Sequence, residues 1–324
     1  MNLRFSSLIL AFGGFFATTT IAECPGSWYC ACADNTIPYP PDECRPVLNA
    51  TNDAIVFLSA SLPPWDVVNA ASLGFPTAGA PDIDGLNYGI LQPTVNLSLV
   101  NRAKLSWAAD VPEAEFNDYV LPYASVNEAR SNWRPLLRDA LLDTVLAGDA
   151  LLTSDVVTAV NSFLWSDAAL SPNAPIVFKS SMTPLVYDPM SVLAFGYASC
   201  TGVSILFVDA LRSVGVAARL VGTPAWNGVA ANGNHNWVEV YDPENKSWGF
   251  IEAAPAGGGE TLTDPCDKWF CNPSHVANGT QFFAARWDSE AAEGTVYPMA
   301  WDLDNLNIPG VDRTDYYATA CAAC

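Results

Sequence analysis

Apolar positions between Cys200 and Glu252 change period once, and the change separates helix from sheet. Val203, Leu206, Phe207, Ala210, Leu211 and Val214 recur at the three- and four-residue intervals of one helical face, with Gly215 following as a stop. Val216 to Val221 reads as a strand, and a Gly/Asn-rich loop runs from Asn227 to Gly233. His235, Trp237, Glu239 and Tyr241 then alternate with Asn236, Val238 and Val240 at the two-residue period of a second strand. Asp242-Pro-Glu-Asn245 forms a turn with proline at its favoured second position, and Ser247 to Glu252 is the returning strand.

Helical spacing dominates residues 49–152, broken by a Gly/Pro-rich stretch from Gly74 to Pro93. Leu97, Val100, Ala103 and Lys104 recur at helical intervals, Pro112-Glu-Ala-Glu115 opens a helix, and Trp133 to Leu146 is another. Thr153 to about Trp165 is a helix leading, through a Pro-containing connection, into the strand-rich segment. These patterns predict an α+β chain organised as a signal peptide (1–22), a Cys/Pro-rich N-terminal segment (23–48), a helical region (49–152), a mixed helix-and-strand core (153–256) and a loop-rich C-terminal region with cysteines (257–324).

The start of the chain carries the signal. Met1-Asn-Leu-Arg4 precedes an uncharged run from Phe5 to Ala22 ending in the small-x-small pattern Thr20-Ile-Ala22, so secretion is expected, with Glu23 as the mature start. That run is short and interrupted by Gly13 and Gly14, which argues against a membrane span. Asn49-Ala-Thr51, Asn96-Leu-Ser98, Asn245-Lys-Ser247 and Asn278-Gly-Thr280 are acceptor sequons for glycosylation on that route. The formal charge of −20 repels nucleic acid phosphates and anionic membranes, and its plain use is solubility.

Cysteine usage singles out one residue. Cys24, Cys30, Cys32 and Cys44 cluster near the N-terminus and Cys266, Cys271, Cys321 and Cys324 near the C-terminus, whereas Cys200 stands alone. In an oxidising compartment the two clusters form disulfides and leave Cys200 as the odd thiol. A zinc site is disfavoured because Cys321-x2-Cys324 has no second pair at finger spacing and the histidines are only His235 and His275. Cys200 starts the helix, where unpaired N–H groups and the helix dipole favour a thiolate and can serve an oxyanion. The plainer reading of a lone cysteine is a small buried hydrophobe.

His235 is the base candidate, and a hairpin closed by an Asp242–Asn245 pair would set it directly opposite Glu252, where a carboxylate can orient an imidazole. A one-residue slip would send Glu252 to the other face. Asp242, at the turn, and Glu239, with the character of a salt-bridging residue, are the rival acids.

Phe195-Gly-Tyr-Ala-Ser-Cys200-Thr-Gly, the helix through Gly215, Val216-Ala-Ala-Arg219, Asn234-His-Asn-Trp-Val-Glu-Val-Tyr241 and Trp248-Gly-Phe-Ile-Glu252 resemble the core of the transglutaminase-like superfamily. Trp107-Ala-Ala-Asp-Val-Pro112, Phe116, Val120 to Glu128 and Asn132-Trp-Arg134 resemble the helical region before that core in secreted or envelope-associated bacterial transglutaminase-domain proteins. The resemblance covers roughly 95–255 and neither cysteine cluster. It implies a papain-like fold with the nucleophile at a helix N-terminus on an antiparallel sheet, Cys200 as nucleophile, His235 as base and Glu252 where the family usually has Asp. It further implies acyl transfer or amide hydrolysis on a protein or peptide, with an amine as a candidate acceptor and no cofactor required. Trp165 is the candidate side-chain oxyanion donor. A non-catalytic secreted binding module that kept the fold is the reading from another class.

Overall fold

The computed structural model describes residues 47–75, 89–147, 152–258 and 260–324. The expected signal peptide and the four N-terminal cysteines lie outside the described residues. The helical region contains α1 (Val47–Ala60), α2 (Leu91–Lys104), α3 (Glu113–Tyr119) and α4 (Trp133–Ala147), followed by α5 (Thr153–Phe163). Pro93 is the third residue of α2, where an N–H would have no intrahelical acceptor, so the helix starts before the end of the expected break.

The inner face of α2 differs from the expected one. Leu91, Thr94, Val95, Ser98 and Asn101 are buried, whereas Val100, Ala103 and Lys104 are exposed. Three of those buried side chains are polar, so hydrophobic spacing points to the wrong side. Asn101 is buried because its amide donates to the Ser213 carbonyl at 2.8 Å and accepts from Arg138 at 2.8 Å.

After a short helix α6 (Pro189–Phe195), capped by the Asp188 carboxylate, comes α7 (Cys200–Ser213), with every residue from Thr201 to Ser213 buried. Its last carbonyls have no partners within the helix, and the helical region supplies them. Arg134 donates to Arg212 O at 2.7 Å, Asn101 to Ser213 O, and the Trp107 indole to Val214 O at 2.8 Å. Arg212 in turn donates to the carbonyls of Tyr119, Ala124 and Ala218. The layer before the core therefore fixes the far end of the helix that begins with Cys200.

The sheet is antiparallel, in the order β3-β2-β1-β4-β5, with β1 (Ala218–Thr223), β2 (His235–Asp242), β3 (Ser247–Ile251), β4 (Phe283–Ala285) and β5 (Gly310–Asp312). The last two strands come from the region expected to be loop-rich. Each has three residues, too few for a two-residue period to show. A short parallel pair, Val177–Phe178 with Tyr197–Ala198, leads into Cys200.

Val238 and Val240 of β2 face the core around α7, and Trp237 faces an aromatic layer built from the C-terminal region. Trp237 has its ring centroid 4.2 Å from that of Phe270, and its N–H donates to the Tyr317 hydroxyl at 2.8 Å. Cys266–Cys324 and Cys271–Cys321 are disulfides tying this layer to α8 (Thr314–Ala320), and Cys200 is the free cysteine among the described residues. Among the described residues no helix is long and apolar enough to cross a membrane.

Glu239, one of the rival acids, lies in this layer and is fully buried. It accepts from Arg219 at 2.6 and 2.8 Å, from Arg313 at 2.9 Å and from Tyr317 at 2.9 Å, so it joins β1, β2 and the C-terminal region. Removing one side of a buried pair leaves an uncompensated charge, so Glu239→Ala is expected to destabilise the fold by about 3–5 kcal/mol in urea unfolding. A loss below about 1 kcal/mol, the range of an exposed pair, would contradict this assignment.

Candidate active site

Three elements deliver three side chains to one point. Cys200 is the first residue of α7, His235 the first of β2, and Glu252 follows the last residue of β3. His235 Nε2 hydrogen-bonds Glu252 Oε1, and the imidazole also hydrogen-bonds the Cys200 thiol. His235 and Glu252 are 6% and 1% exposed, so both groups meet where water competes little.

The hairpin brings Glu252 there by a different register from the expected one. Its closing pair is Asp242 with Ser247 rather than with Asn245, and Val238 pairs with Ile251. Glu252 thus falls two residues along, diagonal to His235 rather than opposite. The loop is longer because the Asp242 carboxylate accepts the N–H groups of Glu244 and Asn245, and Lys246 takes a left-handed φ of 51°. A shift of two residues preserves the face, because side chains alternate with a period of two. Asp242, the other rival acid, is spent on this turn.

Several groups that sequence reasoning missed hold the three in place. Asn161 of α5 donates to the Glu252 carbonyl at 3.0 Å and accepts the Ala254 N–H at 2.9 Å, fixing the backbone on both sides of the acid. Asn161 also takes the Trp165 N–H at 3.0 Å, so Trp165 is committed to the scaffold and is not available as an oxyanion donor. The Trp269 N–H donates to Glu252 Oε1 at 3.2 Å. Trp226, Trp237, Trp269 and Phe270 surround the His235 ring, with centroids 5.0–6.4 Å away.

Beside the thiol, Asn236 donates to the Tyr297 hydroxyl at 2.5 Å and accepts from Thr201 at 2.8 Å. Gly222 makes this possible: a Cβ there would lie 2.2 Å from Asn236 Nδ2 and 2.4 Å from the His235 carbonyl. Periodicity has no signal for these contacts, because most join residues tens of positions apart.

Residues 153–253, from the start of α5 to the residue after Glu252, match the model of the transglutaminase-like superfamily. This core belongs to the transglutaminase-like superfamily. A solved structure of a candidate cysteine protease from Cytophaga hutchinsonii aligns with 65% of this chain and 68% of its own, at 12% identity and a TM-score of 0.33, a likeness too slight to carry an argument. A search of curated proteins finds no match. The family supports a cysteine-dependent enzyme of this fold.

The electrostatics of the transglutaminase-like core favour an ion pair. Burial alone would push the Cys200 thiol up, but the hydrogen bond and charge of His235, with the N–H groups of Asn236 and Thr201, bring it below its ordinary value. Burial alone would lower the imidazole, whereas hydrogen bonds to Cys200 and Glu252 and their negative charges carry it up to about 9. Thiolate and imidazolium therefore coexist below pH 9, down to the lowered value of the thiol. Iodoacetamide should alkylate Cys200 near pH 6 at a rate well above that of an ordinary thiol, and His235→Ala should move the rise in rate toward the free-thiol value of about 8.5. A wild-type profile already rising at that ordinary position would refute the ion pair.

Proposed function

We propose that the chain is a secreted cysteine acyltransferase of transglutaminase type, acting on protein or peptide amides through a thioester on Cys200. The observation that carries this reading is the chain of contacts from the Cys200 thiol through His235 to Glu252, with the thiol at the N-terminus of a buried helix. The Cys200 thiolate adds to an amide carbonyl, and the oxygen becomes an oxyanion beside the first turn of α7. Backbone N–H groups there lack helical acceptors and can donate to it.

The imidazolium of His235 gives its proton to the departing nitrogen, the C–N bond breaks, and ammonia leaves a thioester. An incoming primary amine then loses its proton to His235 and attacks the thioester. The C–S bond breaks and an isopeptide bond forms. Glu252 holds the ring so that one nitrogen serves the sulfur, and it stabilises the positive charge on the imidazole. Water in place of the amine gives deamidation, and a backbone amide in place of the side-chain amide gives peptide cleavage.

Secretion fits the leader pattern of residues 1–22 and the two disulfides of the C-terminal region. Incubation with a glutamine peptide, with and without a primary amine, followed by mass spectrometry, tests the reaction. The expected product is the amine adduct less about 17 Da, absent with Cys200→Ala. A gain of about 1 Da or chain cleavage would replace crosslinking with hydrolysis. Equal activity in Cys200→Ala would end the thioester mechanism.

A further inference from the structure

Glu252 reaches the site with one oxygen engaged and one idle. Oε1 takes the His235 ring and the Trp269 N–H, whereas Oε2 is buried without a hydrogen-bond partner. A buried acceptor with no donor is unfavourable, and a carboxylate held through one oxygen can swing about it.

The carboxyl group of Glu260 faces the same gap. Its Oε2 accepts the backbone N–H of Glu252 at 2.9 Å. Gly257 measures the distance between the other two oxygens: a Cβ on it would sit 2.4 Å from Glu252 Oε2 and 2.6 Å from Glu260 Oε1, placing those oxygens within about 5 Å of each other. Any larger residue at 257 would fill the space between them. Two carboxylates this close resist ionising together, and one proton between them relieves both the repulsion and the orphaned acceptor.

We propose that Glu260 is a positioning residue for the catalytic group: it keeps a proton and donates it across the gap to Glu252 Oε2, with at most one water between, holding Oε1 on His235. This rests on the reading of Cys200, His235 and Glu252 as the reacting set.

The charged groups around Glu260 are Glu252, behind which lies His235, and Asp267 and Lys268 of the turn after it. Lys268 is engaged by the Asp267 carboxylate and by the carbonyls of Thr261 and Asp264. Burial, then the charges of Glu252 and Asp267, push the Glu260 carboxyl up to about 7, against the Glu252 N–H and Lys268. Below that pH Glu260 is a donor; above it the donor is lost and a second negative charge faces Glu252.

The test uses Glu260→Gln, whose amide donates at every pH while its oxygen can still take the Glu252 N–H. The rate of iodoacetamide alkylation at Cys200 is followed from pH 5.5 to 8 in the unreduced protein by mass spectrometry of the Cys200 peptide. Wild type is expected to show a break near pH 7, falling about fivefold relative to Glu260→Gln, the equivalent of one ordinary hydrogen bond, and the variant should show no break. Thermal unfolding gives a second readout. Wild-type Glu260 binds its proton more tightly folded than unfolded, so its favourable contribution is complete below the ordinary glutamate range and lost as pH rises to about 7. The melting temperature of Glu260→Gln relative to wild type should therefore rise through that window and level off above it.

Superimposed alkylation profiles, with wild type still reactive at low pH, would overturn the role of Glu260 and leave the ion pair standing. A wild-type profile with an ordinary thiol's pH dependence would overturn the reading of the reacting set, and the positioning role with it.

Discussion

A thiolate and an imidazolium taken out of water each lose several kcal/mol of hydration, and their mutual attraction repays this only with good geometry and further hydrogen bonds. The Cys200–His235 pair meets that condition from two sides. The N–H groups of Asn236 and Thr201 support the sulfur, and the Glu252 carboxylate supports the ring. The first two belong to the backbone, and the carboxylate also takes the Trp269 N–H on the oxygen that holds the ring. The pair is thus kept charged by an arrangement already in place before substrate arrives, the condition under which electrostatic groups contribute most to a reaction.

The rest of the fold fixes the positions of these supports. At its far end α7 is held by Asn101, Trp107 and Arg134 from the helical region, which sets where its first residue falls. β2 is clamped between the core around α7 and the aromatic layer, with Glu239 buried among two arginines and a tyrosine. Two disulfides bracket Trp269 and Phe270, both of which touch the His235 ring. The C-terminal region therefore completes the sheet and one wall of the site, although the family match ends at residue 253.

How much of this could be read from sequence depended on the kind of signal each residue leaves. Cys200 is marked by its isolation among nine cysteines and by the helical spacing that follows it. His235 is marked by the scarcity of histidine and by strict alternation. Alternation puts Glu252 on the right face but does not give its partner, because parity follows from the side-chain period whereas register depends on the Asx turn at Asp242. Asn161, Trp269 and Glu260 left no signal, since their roles arise where separate segments meet. The inner face of α2 is hidden for a related reason: buried Thr94, Ser98 and Asn101 have polar side chains that hydrophobic spacing passes over.

The chain has two histidines, His235 and His275, which makes the central claim directly accessible to spectroscopy. In a histidine-labelled sample, nitrogen NMR followed from pH 5 to 10 reads the protonation of each ring. The account predicts that His235, assigned by its loss in His235→Gln, stays doubly protonated past pH 8, titrates near the raised value of about 9, and moves down when Cys200 is replaced by alanine. Titration of His235 near the ordinary value of about 6.5, unchanged in Cys200→Ala, would contradict it.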